Sequence, residues 1–212
     1  MACGPAATPE PSSATSPPPS AVSIADLAKI GRARGDLPPD YEIGDLTGRA
    51  AAVALWGLSE PWTVRPPQCA SLVDPPLDPA GIRGWSASGP GGIVYAVAGS
   101  ASVGLDESLR EQCTTFTVAA GHTTAAVEMI DAPGIDGAST VGLRSEATTV
   151  VEGGTETHSR ADTFTAYVGD VIAYVTVVTD PGSTGAPLGP GFAATLLTTT
   201  VSALRGDAGA GG

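Results

Sequence analysis

DTFTAYVGDVIAYVTVVT, residues 162–179, reads as two strands and the turn that joins them. In its first half Phe164, Ala166 and Val168 alternate with Thr163, Thr165 and Tyr167, the period of two that sends one set of side chains to each face of a sheet. Gly169-Asp170 supplies a tight turn. The second half, VIAYVTVVT, is apolar on both faces, so this strand belongs in the interior of a sheet covered on both sides.

Working outward, the closing segment GPGFAATLLTTTVSALRG places Ala193, Leu197, Val201 and Leu204 on one helical stripe, and Gly206 follows as a stop. Thr198, Thr199 and Thr200 are poor helix formers, so packing on the sheet must hold this helix. TAAVEMI and STVGLRSEATTVV read as further strands, separated from their neighbours by Gly, Pro and Asp. GIRGWSASGPGGIVYAVAGSA is a hairpin hinged on Gly89-Pro90-Gly91-Gly92, with Trp85 and Ala87 set against Ile93, Tyr95 and Val97. LDESLREQCTTF begins a helix at Asp106 and puts Leu105, Leu109 and Cys113 on its buried face.

Nearer the start, Ile24, Leu27 and Ala28 recur at helical spacing, with Ser23 as candidate N-cap and Gly31 as the stop. Pro38 and Pro39 lead into a strand, YEIGDL, with Tyr41, Ile43 and Asp45 on one face. RAAAVALWGLSEPW is ambiguous; Val53, Leu55 and the glycine after Trp56 favour a strand. PPQCASLVDPPLDPAGI carries too many prolines for more than one helical turn, around Cys69 to Leu72. The expected fold class is α+β: a twisted antiparallel sheet of about six strands with a few short helices, including a C-terminal helix packed on the sheet. Residues 1–20 form a disordered Pro/Ser/Thr tether, 21–206 a single globular domain and 207–212 a flexible tail.

Asp and Glu number 22 against 10 Lys and Arg, for a net charge of −12 in 212 residues. That balance repels nucleic acid and anionic membrane surfaces as working partners. Solubility is its plain explanation. No apolar run approaches the length of about 18 residues that a membrane-spanning helix needs.

The tether needs an attachment, and Cys3, between Ala2 and Gly4, is the thiol at its end. Small residues before a single cysteine are what a bacterial lipoprotein signal leaves at its cleavage site, with Met1 standing in place of the removed signal peptide. Lipidated Cys3 would hold the chain on the outer face of the plasma membrane; at about 0.8 kcal/mol per buried CH₂, two or three acyl chains anchor stably. The alternative is an incidental cysteine. Thr8, Ser12, Ser13, Thr15 and Ser16 are candidate glycosylation positions on the tether. Cys69 and Cys113 then remain as an even pair in an extracytoplasmic chain and are expected to be bonded. A metal site would need partners that are missing, since His122 and His158 are the only histidines and no Cys-x-x-Cys occurs.

The sequence carries no recognisable catalytic signature. GWSASG and GSASVG each miss the nucleophile-elbow spacing by one residue, and GPGGIV fails the dinucleotide pattern at its last glycine. Asp162 or Asp170 taken alone carries no acid–base meaning in so acidic a chain. His122 and His158 read as exposed loop or strand-edge residues. Trp56, Trp62 and Trp85 read first as core and second as a pocket lining. No catalytic residue and no cofactor is assigned.

ACG, the Pro/Ser/Thr tether, LPPDYEIGDL, PPQCASLVDP, LREQCTTF and TAYVGDVIAYVTVV together resemble mycobacterial cell-envelope lipoproteins of a domain-of-unknown-function family, similar in plan to the extracellular sensor domain of the PknH-type kinases. The resemblance runs from about residue 22 to residue 205 and implies an antiparallel sheet with helices and a cleft for an unidentified ligand. Those kinase domains carry two disulfides where this chain can form one. The functional expectation is a noncatalytic envelope lipoprotein binding a small apolar ligand, a lipid or a cell-wall fragment, in an apolar cleft between sheet and helix. A protein–protein interaction module of the envelope is the second reading and predicts an exposed apolar patch. An enzyme without a recognisable motif is the third.

Overall fold

The computed structural model describes residue 1 and residues 26–46, 51–179, 182 and 185–206. A 3₁₀ helix, Leu27–Asp36, starts where the Asp26 carboxylate accepts from the Ala28 N–H and leads into strand β1, Glu42–Leu46. Next come a helical turn α1, Ala52–Leu55, and strand β2, Trp62–Arg65. The turn Pro67–Cys69 runs directly into α2, Ala70–Val73. The hairpin β3, Arg83–Gly89, and β4, Gly92–Ser100, is followed by α3, Leu109–Gln112. Four strands then run in succession: β5, Thr115–Ala120; β6, Thr123–Ile130; β7, Ser139–Val150; β8, Glu156–Val168. The last elements are β9, Val171–Thr179, and α4, Pro190–Arg205.

All nine strands join one sheet in the order β1-β3-β4-β9-β8-β7-β6-β5-β2. Every adjacent pair is antiparallel. β9 lies between β4 and β8, the interior place its two apolar faces require, and Val171 to Val177 are all buried.

The sheet is covered on both sides, but by different elements over different strands. On one face α4 and the N-terminal 3₁₀ helix lie over β3, β4, β9 and β8, packing Ile30, Leu196, Leu197, Val201 and Leu204 against Trp85, Val94, Phe164 and Val175. The Trp85 indole also donates to the Ile30 carbonyl at 3.1 Å. On the opposite face α1, α2 and α3 cover the other half, packing Trp56, Leu58, Leu72 and Val73 against Phe116, Val118, Val127 and Leu143. A buried polar chain crosses beneath that cover: Trp56 Nε1 donates to Thr163 Oγ1 at 2.9 Å, and Thr163 pairs with Thr176 at 2.8 Å.

The threonine run in α4 is settled by two effects. Thr195, Thr198 and Thr200 each return their hydroxyl to the carbonyl four residues earlier, so none of these three hydroxyls is stranded. Three threonines cost about 2 kcal/mol of helix propensity, while each buried Leu or Val of the inward stripe contributes about 1.5–3 kcal/mol. Packing wins. Gly206 ends the helix at φ 83°, a left-handed position that favours glycine.

Three readings need correction. The sheet has nine strands rather than about six, because β2 and β5 were not read as strands. β2 is only four residues between Pro61 and Pro66, and β5 begins two residues after Cys113, inside a segment read as helix. Ala52–Leu55 forms the helical turn α1, not a strand: that geometry brings Ala52, Val53, Trp56 and Leu58 together into the cover, and Gly57 leaves it at φ 89°. The first helix continues through Gly31 to Asp36, since Ala33 beyond the glycine is fully buried. Cys3, the glycosylation candidates, Ser23, Ile24, the tether and the 207–212 tail lie outside the described residues.

Candidate functional site

The staggered covers leave half of one face open. Among the described residues no helix lies above β7, β6, β5 and β2 on the side that carries α4, and alternation decides what they present. Phe116, Val118 and Ala120 of β5 are buried toward α1–α3, while Thr115, Thr117 and Ala119 face out. Ala125 and Val127 of β6 are likewise buried, while Thr124, Ala126 and Glu128 are exposed.

Register then assembles charges that are far apart in sequence. Glu128 lies opposite Arg144, and Arg144 opposite Asp162, so three strands place one carboxylate on each side of a guanidinium. Arg144 Nη1 donates to Glu128 Oε1 at 3.1 Å and Nε to Asp162 Oδ1 at 2.9 Å. Arg160 Nη2 reaches the second Asp162 oxygen at 3.4 Å. The next row runs Arg65, Thr117, Ala126, Glu146, Arg160, Thr179, and the row beyond brings Thr148 opposite His158, whose Nδ1 lies 3.1 Å from the Thr148 hydroxyl.

Burial by itself would pull the Arg144 guanidinium down, but Asp162 and Glu128 more than offset it and hold its pKa above the usual arginine value. The arginine is permanently charged and locked in one orientation, its planar fork matched to the two carboxylates. Asp162 is only 3% exposed, which its two arginine partners make tolerable.

Long side chains flank short ones here, and that difference in length makes a trough. Arg65 stands at one side and Glu128, Arg144 and Glu146 at the other, with Thr115, Thr117 and Ala126 as the floor, enclosing about 510 Å³. A second depression of about 500 Å³ adjoins it through Ala126 and Glu146 and extends to His158, Ser159 and Arg160. Together they form an open site bordered by charged side chains, of a size that suits small ligands.

Of the cleft expected between sheet and helix, the α4 seam is filled, with Ala193, Leu197, Val201 and Leu204 all fully buried, while a depression of about 610 Å³ lies between the N-terminal 3₁₀ helix at Ile30 and Arg34 and the β1–β3 edge at Leu46 and Gly84. Trp56 and Trp85 are core residues on opposite faces of the sheet at 3% and 0% exposure, and Trp62 packs at the margin of the Trp56 cluster. Cys69 and Cys113 are joined, with Cα atoms 5.8 Å apart. Asp170 sits exposed in the β8–β9 turn, and both histidines are exposed. The exposed large apolar side chains among the described residues beyond residue 1, Ile43, Val103, Val150 and Val151, are scattered over three segments. Among the described residues no helix is long and apolar enough to cross a membrane. Sequence reasoning missed Arg65, Glu128, Arg144, Glu146 and Arg160. Glu128, Arg144 and Asp162 are 16 and 18 residues apart, so only the strand pairing brings them together.

Comparison with known proteins gives three likenesses. Residues 26–205 match the family described as a domain of unknown function, DUF5642. The fold is similar to the X-ray structure of an uncharacterised protein from Mycobacterium smegmatis, the Rv0999 ortholog, with TM-score 0.61 and 22% identity over 87% of this chain and 100% of that one. The crystal structure of the extracellular domain of PknH from Mycobacterium tuberculosis also aligns, with TM-score 0.44 and 15% identity over 84% of this chain and 92% of that one. No curated protein matches in sequence.

Proposed function

Since the chain belongs to the DUF5642 family, we propose that it is a noncatalytic, sensor-like domain of the cell envelope that binds a polar cell-wall fragment in the open trough. The observation that carries this reading is the charged ladder Glu128–Arg144–Asp162–Arg160, held in fixed register on a sheet face that no other described element covers. A side-chain network pinned by cross-strand pairs and bordering a trough offers hydrogen-bonding groups at fixed positions without an ordering cost on binding.

The Cys69–Cys113 bond suits an oxidising compartment. The Pro/Ser/Thr tether and Cys3 supply attachment to the outer face of the plasma membrane. Substituting Cys3→Ser in the protein expressed from its own gene should release it from membranes, and unchanged partitioning would reject the anchor.

The ligand reading is tested by amide chemical-shift titration with a soluble cell-wall digest. Shifts confined to β2, β5, β6, β7 and the Arg160 end of β8 are expected, and Arg144→Ala should abolish them. A digest that moves no resonance, or moves those around α4 instead, would reject the trough as the site.

A further inference from the structure

Four charges line the trough, and two of them are engaged with each other: Arg144 and Glu128. The other two, Arg65 and Glu146, are exposed and have no ion-pair partner among the described residues. They stand in the same cross-strand row with only Thr117 and Ala126 between them. Adjacent strands lie about 4.8 Å apart, so three steps set the two backbones about 14 Å apart.

Opposite charges at the two ends of a floor of short side chains select for a dipolar occupant. A plain anion would meet Arg65 but also Glu146, within a protein of net charge −12. A plain cation would meet Glu146 but also Arg65. A ligand carrying both charges, one at each end, satisfies both residues and leaves neither opposed. The floor supplies the rest: Ala126 lets a backbone lie close to the sheet, and the exposed Thr115 and Thr117 hydroxyls can bond to amide groups.

Resting on the trough as the ligand site, we infer that it takes an extended zwitterionic peptide of three or four residues, laid across the strands with its carboxylate at Arg65 and its amine at Glu146. An extended chain spans about 3.3–3.6 Å per residue, so three residues cover about 10 Å and the two long side chains reach in across the remainder. Arg65 can grip a carboxylate with two parallel N–H donors.

Trialanine with free termini is the probe, with N-acetyl-trialanine-amide as its uncharged control. Amide shifts on β2, β5, β6 and β7 should report trialanine binding, and the capped form should bind at least about tenfold more weakly. Arg65→Glu and Glu146→Arg should each lose about tenfold or more, because each variant sets two like charges at the ends of the trough. The double variant Arg65→Glu/Glu146→Arg should recover to within about threefold, with the peptide reversed. Equal binding of capped and free peptides, or no recovery in the double variant, overturns the inference. If the cell-wall digest shifts the trough resonances and trialanine does not, the zwitterion inference falls and the trough stands as the site. If neither shifts them, both fall.

Discussion

Removal of the Cys69–Cys113 bond, by substituting both residues with alanine, should weaken one corner of the molecule and spare its centre. The bond closes a loop of 44 positions, for which the chain-entropy relation gives about 4 kcal/mol. Its position says where that stability is spent. Counting one residue at a time along both chains from the Arg65↔Thr117 pair brings Cys69 opposite Cys113 four steps on, just after both chains have left the sheet. The bond thus clamps the end of the β2–β5 ladder. β2 has four residues, one neighbouring strand and a proline on each side, so little else holds it. For a domain of this size a loss of 1 kcal/mol lowers the melting midpoint by about 2–4 °C, so the double variant should melt roughly 8–16 °C lower. Hydrogen exchange then localises the effect. Amides of β2 and of 67–73 should lose protection by a larger factor than those of residues 161–168 in β8 and 171–177 in β9, which are buried on both faces. A midpoint within about 3 °C of the parent, or β2 amides no faster than before, would refute the reasoning.

Three further outcomes follow from particular contacts. Gly142→Ala would place a Cβ 2.8 Å from both the Ile130 carbonyl oxygen and Phe164 Cε1, so a loss of about 1–3 kcal/mol is expected in urea unfolding. Trp56→Phe keeps an aromatic ring but removes the 2.9 Å bond to Thr163, which retains Thr176; about 1–2 kcal/mol should be lost, and a Thr163→Val partner variant should make the two losses non-additive. Burial pushes the Tyr167 phenol up to about 12. Its folded pKa is raised, so its contribution to stability is complete below the ordinary tyrosine value and is lost as pH rises through about 12. Denaturation midpoints measured on the alkaline side should show that decline, and Tyr167→Phe should make it shallower, the remainder belonging to Tyr174, whose phenol burial also raises.

What the sequence disclosed and what it hid divide along a physical line. The β8–β9 hairpin, the β3–β4 hairpin and α4 were legible because each is specified by a local period and a local turn: alternation around Gly169-Asp170, alternation around the Gly89–Gly92 turn, and a stripe closed by Gly206. The cysteine pair was legible from count and compartment. β2 was hidden because four residues between prolines carry too few positions to show a period. β5 was hidden by its neighbour, although Phe116, Val118 and Ala120 alternate cleanly with Thr115, Thr117 and Ala119. The charged ladder was hidden for a deeper reason. Glu128, Arg144 and Asp162 acquire their relation only through register, and register is set by the long-range pairing of strands rather than by any window of sequence. The same holds for Arg65 and Glu146, whose shared row exists only once β2, β5, β6 and β7 are aligned.

β1 and β2 follow each other along the chain yet lie at opposite edges of the sheet. A chain synthesised from its N-terminus therefore produces both outer strands first and the strands that join them last. Ile43 must wait for Ala87, Trp62 for Ala120, and Val94 for Val177. Until β9 emerges, the apolar β4 edge stands open with no partner, and the halves to either side of it are unconnected. Such a topology folds slowly, because distant pairings must close before they stabilise anything, and it exposes strand edges meanwhile. The molecule should depend on a holding chaperone during its biogenesis, and truncation before Val171 should yield aggregate rather than a smaller folded domain.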